Sequence, residues 1–228
     1  VAQLNTVENT DEPSLKLVDD IRSISDRSFY ERRLKRAFDL IAGLLILLAF
    51  SPLVFAIALL VRLRLGKGVL YSQERVGAGQ RPFTIYKFRT MGHDRRQAQL
   101  DIPRTEDRRG DHKSNDDPRH TRIGRALRRF SLDELPQLIN VVRGEMSLVG
   151  PRPEVVEVAK ARGYHDHPRH DVKPGMTGPF QVSELRLSGD LSDGLHLDAE
   201  YVETVSFGSD LKYLFKTVAV MFRGSTGS

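Results

Sequence analysis

The sequence predicts a mostly helical α/β protein, in which a long apolar helix embedded in a membrane precedes a compact basic domain. Three observations predict it. Residues 40–61 (LIAGLLILLAFSPLVFAIALLV) carry no charge over 22 positions. Basic side chains flank that run on both sides. Beyond it, helix-like and strand-like segments alternate between glycine- and proline-rich turns. The chain has 228 residues, and the roughly 165 that follow the apolar run suffice for a core of their own. Three parts are expected: a loosely ordered lead (1–30), a basic-flanked membrane helix (31–67) and a folded basic domain (68–228) in which any chemistry must reside. The lead is polar and acidic with little helical periodicity, and because the chain opens on Val1 an upstream segment is expected.

The apolar run is long enough to cross a bilayer. As a straight helix it extends roughly 33 Å at ~1.5 Å per residue, against a hydrocarbon core of about 30 Å. Pro52 interrupts it. Proline offers no N–H to the Leu48 carbonyl and its ring clashes there, so a kink is expected at Ser51 and Pro52, with the Ser51 hydroxyl bonding a carbonyl in the preceding turn. Arg32, Arg33, Lys35 and Arg36 precede the run, and Arg62, Arg64 and Lys67 follow it. Basic residues favour the cytoplasmic side. A spanning helix leaves one cluster on the wrong side, whereas a helix that enters, bends and returns keeps both inside. The residues themselves leave both arrangements open. The run begins too far into the chain, and is too long, to be a secretory signal.

Composition narrows the chemistry. There is no cysteine, which excludes disulfides, thiolate zinc sites and cysteine nucleophiles and fits a reducing compartment. A net charge of +5 and a pI near 9.5 suit phosphate-bearing partners, whether nucleic acid, anionic lipid or nucleotide.

Along the basic domain, Gly66, Gly68, Gly77 and Gly79 mark turns around Val69-Leu70-Tyr71, and Phe83-Thr84-Ile85-Tyr86-Lys87-Phe88 has strand character. Residues 92–118 read as loop with a short helix, and His112 to Pro118 as turn chemistry. Helices are expected over 121–130 and 135–142. Gly150-Pro151-Arg152-Pro153 must be extended or turning, and Lys173-Pro174-Gly175-Met176-Thr177-Gly178-Pro179 is a second rigid turn. Near the end, Leu211, Leu214, Phe215, Val218 and Phe222 share a helical face flanked by Lys212, Lys216 and Arg223. Such a helix suits a membrane surface, or a core with a solvated back.

The chemistry concentrates at Ser131-Leu132-Asp133-Glu134-Leu135-Pro136. One reading is a capping box, Ser131 the N-cap and Glu134 at N3. Pro136 fits better if the helix begins near Asp133. The other reading is a catalytic dyad, two carboxylates at a helix N-terminus that hold a divalent cation and supply a nucleophile for phosphorus. Arg119, Arg122, Arg125 and Arg128 recur every third residue, Arg129 joins them, and no acid interrupts the stretch 119–129. Solvated helix faces generally mix charges, so an all-arginine stripe beside two carboxylates suggests a phosphate site. Lys87 and Arg89, two apart on a strand, are expected to point the same way. Arg152, fixed between Pro151 and Pro153, suits a phosphate clamp.

These residues carry a resemblance. The elements are Lys35-Arg36-Ala37-Phe38-Asp39, Ser51-Pro52, Gln73-Glu74-Arg75-Val76-Gly77, and Phe83 through Met91. Then come Asp133-Glu134-Leu135-Pro136-Gln137, Gly144 through Pro153, and Lys173 through Gly178. In this order, covering nearly residues 33–223, the chain resembles the bacterial sugar transferases, the monotopic phosphoglycosyl (polyprenyl-phosphate hexose-1-phosphate) transferases. The resemblance implies an α/β, mostly helical fold: a re-entrant membrane helix hairpin kinked at Ser51 and Pro52, plus a compact cytosolic catalytic domain with amphipathic interfacial helices. It implies transfer of a hexose 1-phosphate from a UDP-sugar, of the UDP-glucose or UDP-galactose type, to undecaprenyl or another polyprenyl phosphate. UMP is released and Mg2+ is the cofactor. Asp133 would be the nucleophile that holds the phosphosugar, and Glu134 would assist at the metal or with the lipid phosphate, so both are candidate metal ligands. Lys87, Arg89, Arg128, Arg129, Pro151, Arg152, Pro153, Gly175 and Thr177 are the candidate substrate-binding residues. The implied setting is the cytosolic face of a bacterial inner membrane, at the start of exopolysaccharide, capsule or O-antigen synthesis. A homodimer is compatible and nucleic acid is not expected. Many relatives carry a tryptophan where this chain has Pro179-Phe180, and residues 183–190 also depart from the commoner pattern. Larger members carry an N-terminal membrane domain, which leaves room for this chain as the catalytic part of one.

Two weaker signals are discounted. His165, His167 and His170 lack a recognised ligand spacing and are expected at the surface. Gly77 and Gly79 lack the third glycine of a dinucleotide fingerprint. Two other functions compete: a membrane-anchored nucleic-acid binder, which lacks a recognisable motif and interleaved aromatics, and an anchored assembly protein without chemistry.

Overall fold

The computed structural model describes residues 29–91, 121–187 and 191–222. Residues 1–28 of the expected lead, the loop over 92–118 with its turn, Arg119, residues 188–190 and Arg223 lie outside the described residues, whereas Phe29 and Tyr30, expected in the loosely ordered lead, are helical. After a π-helical turn (Tyr30–Leu34), α1 runs over Lys35–Leu65. Its 31 residues span roughly 46 Å at ~1.5 Å per residue. The helical backbone continues through Pro52, where the Ser51 hydroxyl donates to the Leu48 carbonyl at 2.8 Å. That bond supplies a donor to the carbonyl that proline deprives of its N–H. The kink expected at Pro52 therefore does not end the helix. Gly66, at φ 80°, terminates it.

Helix α1 is also part of the domain's core. In its first half Phe38, Ala42, Ile46 and Leu47 pack on Leu138, Val141, Met146 and Leu148. Gly43 lets the helix approach, since a Cβ there would meet Val141 Cγ1 at 3.2 Å. Asp39, almost fully buried, accepts from the Leu148 amide and the Ser147 hydroxyl, each at 3.0 Å. In its second half Val54, Ile57, Ala58, Val61 and Leu65 pack on Phe88, Ile123, Leu127 and Leu132. Leu135 touches both clusters. Between the halves every residue from 48 to 53 is exposed.

Strands β1 (Leu70–Val76) and β2 (Pro82–Phe88) form an antiparallel hairpin, in register from Leu70 opposite Phe88 to Val76 opposite Pro82. Gly79 and Gln80 take positive φ in the connecting turn. The sequence shows β2 clearly, but β1 only as a region between turns. Helix α2 (Arg122–Arg129) is capped by Thr121, whose hydroxyl accepts from the Gly124 amide. Helix α3 (Gln137–Arg143) begins at Pro136 and ends at Gly144 in the left-handed region. Arg36 donates to the Val141 and Val142 carbonyls at its C-terminal end, each at 2.7 Å.

Two three-residue strands, β3 (Ser147–Val149) and β4 (Gly175–Thr177), pair in parallel. The second proline-rich stretch is therefore strand at its centre rather than turn throughout. Glycine makes the pairing possible: a Cβ at Gly150 would stand 2.4 Å from the Lys173 carbonyl oxygen, and one at Gly178 would stand 2.0 Å from that of Gly150. Helices α4 (Val156–Ala161), α5 (Pro179–Val182), α6 (Leu195–Glu203) and α7 (Phe207–Phe222) complete the domain.

A buried polar cluster fastens α1 to α6, α7 and β3. Asp210 on α7 accepts from Lys35 at 2.6 Å and from Tyr30 and Tyr201 at 2.7 Å. Lys35 and Tyr201 also reach the Val149 carbonyl. On α7, Asp210 and Leu214 turn inward, while Phe207, Leu211, Phe215, Val218 and Met221 remain exposed. The apolar face expected from the sequence thus divides, with Leu214 on the core side.

Candidate active site

The turn that carries the carboxylates is not a capping box. Ser131 adopts left-handed geometry, φ 53°, and its side chain caps nothing. Asp133 and Glu134 lie on a 3-10 turn (Leu132–Glu134), one turn ahead of α3 rather than inside it. Regular α-helix starts at Gln137 rather than near Asp133: Pro136 has no N–H to give to the preceding turn, while Leu135 and Pro136 keep right-handed helical angles and join the 3-10 turn to α3. The turn presents Asp133 and Glu134 to a cavity of about 570 Å³.

Four walls enclose this cavity. The hairpin contributes Arg75 and Lys87; the α2 end and its turn contribute Arg128, Ser131, Asp133 and Glu134. Arg152, Met176, Thr177 and the α5 residues Phe180, Gln181 and Val182 form the next side. Arg186, Leu191 and α7, through Thr217, Val220 and the partly exposed Met221, line the remaining side. A pit of about 10 Å³ behind Glu134 is lined in part by Gln137, Pro153 and Gly175.

Charge at the carboxylates is set by their neighbours. Lys87 Nζ lies 2.6 Å from Glu134 Oε1, and Arg152 lies 4.0 Å from the same oxygen. Burial opposes ionisation of Glu134, but Lys87, Arg152 and Arg75 together outweigh it and hold its carboxyl at about 2. Asp133 moves the other way. Burial raises its pKa, and the Glu134 charge raises it further against Lys87 and Arg128. The pair is thus divided into a firmly ionised member and a more basic, more nucleophilic one.

Arg152 is held from behind. Arg169, fully buried and paired with Asp198 at 2.8 Å, donates to the Arg152 carbonyl at 2.6 Å. Arg75 reaches the Pro153 carbonyl and Glu154, and Tyr164 donates to the other Glu154 oxygen at 3.0 Å. The Pro151 carbonyl accepts from Gly175 at 2.9 Å. Pro151 therefore fixes the backbone on which Arg152 stands, and Pro153 does so while lining the pit. Thr177 contacts Thr217 across the cavity wall.

The structure gathers Lys87, Arg128, Asp133, Glu134, Arg152, Pro153, Gly175 and Thr177 at one place. Two expected binding residues point elsewhere. Strand β2 ends at Phe88, so the two-residue alternation that links Lys87 to Arg89 stops there. Arg89 instead donates to the Leu65 and Lys67 carbonyls at the end of α1. Arg129 is exposed, its guanidinium 5.7 Å from the Phe130 ring. Arg122 and Arg125 are exposed as well, so of the described stripe only Arg128 reaches the cavity. His170 is buried rather than at the surface, and burial with the nearby Arg169 charge lowers its pKa to about 4. Sequence reasoning passed over Arg75, Gln181 and Arg169, the last because its partners are distant in the chain.

Among the described residues no group of three or more His, Asp or Glu side chains gathers for a metal. The donor set still fits Mg2+, which binds through one or two carboxylates together with substrate phosphates. Lys87 and Arg152 both address Glu134 Oε1.

The chain matches the bacterial sugar transferase family over residues 30–224. It is 44% identical to an undecaprenyl-phosphate glucose phosphotransferase of Komagataeibacter xylinus, over 81% of this chain and 35% of the relative. It is 40% identical to an undecaprenyl-phosphate galactose phosphotransferase of Salmonella typhimurium, over 84% of this chain and 41% of the relative. It is 38% identical to the exopolysaccharide production protein ExoY of Rhizobium meliloti, over 84% of this chain and 87% of the relative. The chain thus spans between a third and a half of the first two relatives.

Proposed function

This chain belongs to the bacterial sugar transferase family, and on that premise we propose that it moves a hexose 1-phosphate from a UDP-sugar to undecaprenyl or another polyprenyl phosphate. One observation carries the reading. A carboxylate pair of divided basicity, with Lys87 and Arg152 beside it, faces a cavity large enough for a nucleotide sugar.

In the first step an Asp133 carboxylate oxygen attacks the β-phosphorus of the UDP-hexose. A bond forms from Asp133 to phosphorus, the bond from that phosphorus to the bridging oxygen breaks, and UMP leaves with the electron pair. In the second step a phosphate oxygen of the lipid attacks the same phosphorus and releases Asp133, yielding a polyprenyl diphosphate hexose. Lys87, Arg128 and Arg152 stand where charge develops on the phosphoryl oxygens. Asp133 and Glu134 would hold Mg2+, which supplies charge neutralisation at the diphosphate.

The membrane segment fits the same scheme as a re-entrant hairpin. Both halves of α1 pack on one domain, and residues 48–53 between them are exposed. Those observations support a tip at Ser51 and Pro52 immersed in one leaflet, with Arg33 and Lys67 both on the cytosolic side of a bacterial inner membrane. The exposed apolar face of α7 would rest on the same leaflet. Single cysteines in place of Arg33 and Lys67 test the topology. Both should resist a membrane-impermeant thiol reagent in intact cells, and labelling at only one of them there would establish a spanning helix instead.

The activity is tested by UMP release from UDP-glucose and UDP-galactose, with and without undecaprenyl phosphate, using detergent-solubilised protein. Lipid-dependent UMP release that disappears in Asp133→Asn supports the mechanism. Release at the wild-type rate in that variant overturns it.

A further inference from the structure

We propose that Gln181 reads hydroxyl groups of the donor hexose and so takes part in choosing the sugar. The inference rests on the transferase reading above. Gln181 lies on the short helix α5, after Gly178, and lines both the main cavity and the pit behind Glu134. Its amide oxygen and nitrogen are both buried, and neither has a hydrogen-bond partner among the described residues. A primary amide left in that state is costly, because it has given up water without replacing it. The bare face of Gly178 makes room for it: a Cβ there would sit 3.1 Å from Gln181 Oε1.

The chemistry of the amide selects among the parts of a nucleotide sugar. Phosphate oxygens offer only acceptors, and the cavity already sets Lys87, Arg128 and Arg152 against them. An amide oxygen beside a phosphate would repel it. A hydroxyl both donates and accepts, and therefore satisfies both ends of the glutamine. Uracil also offers a donor and an acceptor, but position argues against it. Gln181 shares the pit with Lys87, Glu134 and Arg152 and the larger cavity with Asp133, the side on which the proposed mechanism sets the reacting phosphorus. In a UDP-hexose the sugar hangs directly from that phosphorus, whereas the base lies beyond the second phosphate and the ribose. A site that spends a buried amide on a hydroxyl discriminates strongly against a sugar that misplaces it.

The test measures binding without turnover, in the Asp133→Asn background. UDP-glucose, UDP-galactose and UDP are titrated against the protein with and without Gln181→Met. The methionine keeps the length of the side chain and removes both hydrogen-bonding groups. Affinity for the preferred UDP-hexose should fall on the order of 10-fold or more, the preference between the two hexoses should shrink toward unity, and affinity for UDP should stay within twofold. An equal loss for UDP and UDP-hexose would assign Gln181 to the nucleotide and overturn the proposal. So would an unchanged hexose preference, or a parent protein that binds UDP-hexose no better than UDP. Melting curves check the fold, and Gln181→Asn, which withdraws the amide by one methylene, gives the same readout should the methionine fail to fold. Wild-type protein that shows the hexose preference in binding yet releases no UMP with lipid would refute the transferase reading while leaving the contact of Gln181 with the hexose established.

Discussion

Removing the Lys87 charge probes the electrostatics of the carboxylate pair. In Lys87→Met the stem is largely kept, and Glu134 is left with Arg152 at 4.0 Å. The Glu134 carboxyl is held down from 4.5 to about 2, which amounts to roughly 3 kcal/mol at ~1.36 kcal/mol per pH unit. Both side chains keep about a fifth of their exposure, so solvent screening reduces the share owed to Lys87 to about 2 kcal/mol. That lowers Tm by about 4–8 °C for a domain of this size. The folded pKa of Glu134 lies below its unfolded value. Its contribution is therefore complete above about pH 4.5 and is lost as pH falls toward 2. Melting curves of the wild type, Lys87→Met, Glu134→Gln and the double variant at pH 7 should give a coupling of about 2 kcal/mol, falling by only about 0.4 kcal/mol at pH 3.5 because Glu134 stays largely ionised there while Lys87 is present. Turnover in Lys87→Met should drop on the order of 10²–10³, because a charge aimed at the developing phosphoryl negative charge is gone. A coupling below about 0.5 kcal/mol at pH 7 would mean that the two side chains act independently, and the account of Glu134 would fail.

Other outcomes follow from the same geometry. Burial and the Glu134 charge make ionised Asp133 a burden on the folded state at neutral pH, relieved as pH falls through its raised folded pKa. Asp133→Asn should therefore melt higher than the wild type at neutral pH, while UMP release disappears; a lower Tm would contradict the burial argument. The acid limb of kcat/KM should lie above the ordinary aspartate value of 3.8, since the attacking carboxylate must be deprotonated. A limb at or below that value removes Asp133 from the step. On α7, Phe215→Glu and Val218→Glu should weaken co-sedimentation with anionic vesicles, each replacing an exposed apolar side chain by a charge. Unchanged sedimentation would place that face away from lipid.

Much of this was legible in the chain because it is local. The apolar run, β2, α2, α3 and α7 declare themselves through hydrophobic period, capping and turn residues. Asp133, Glu134 and Arg152 stand out because their neighbours are unusual. What was not legible depends on partners far along the chain. Strands β3 and β4 are three residues each, too short to show a period, and their pairing rests on the Gly150 and Gly178 contacts. Arg169 looks like one arginine among many until Asp198 and the Arg152 carbonyl close around it. Arg89 misled because the alternation of a strand was carried one residue past the strand's end. The exposed histidines expected at 165–170 included one that the fold buries, at His170.

Helix α1 serves two environments at once, and this orders events during synthesis. It leaves the ribosome well before α3, β3 and α7, the elements that cover Phe38, Asp39 and Ile46. Until they arrive, the nascent helix has only lipid in which to shelter its apolar surface. In the proposed membrane placement, partition into the bilayer would come first, and the rest of the chain would close on a helix already in place. A version trimmed to begin at β1 would lose Asp39 from the Leu148 amide, Lys35 from Asp210 and the aliphatic cover of Val141. On that placement the anchor could not be cut away to leave a folded, water-soluble domain, because the segment proposed to enter the lipid is also the one around which the domain is built.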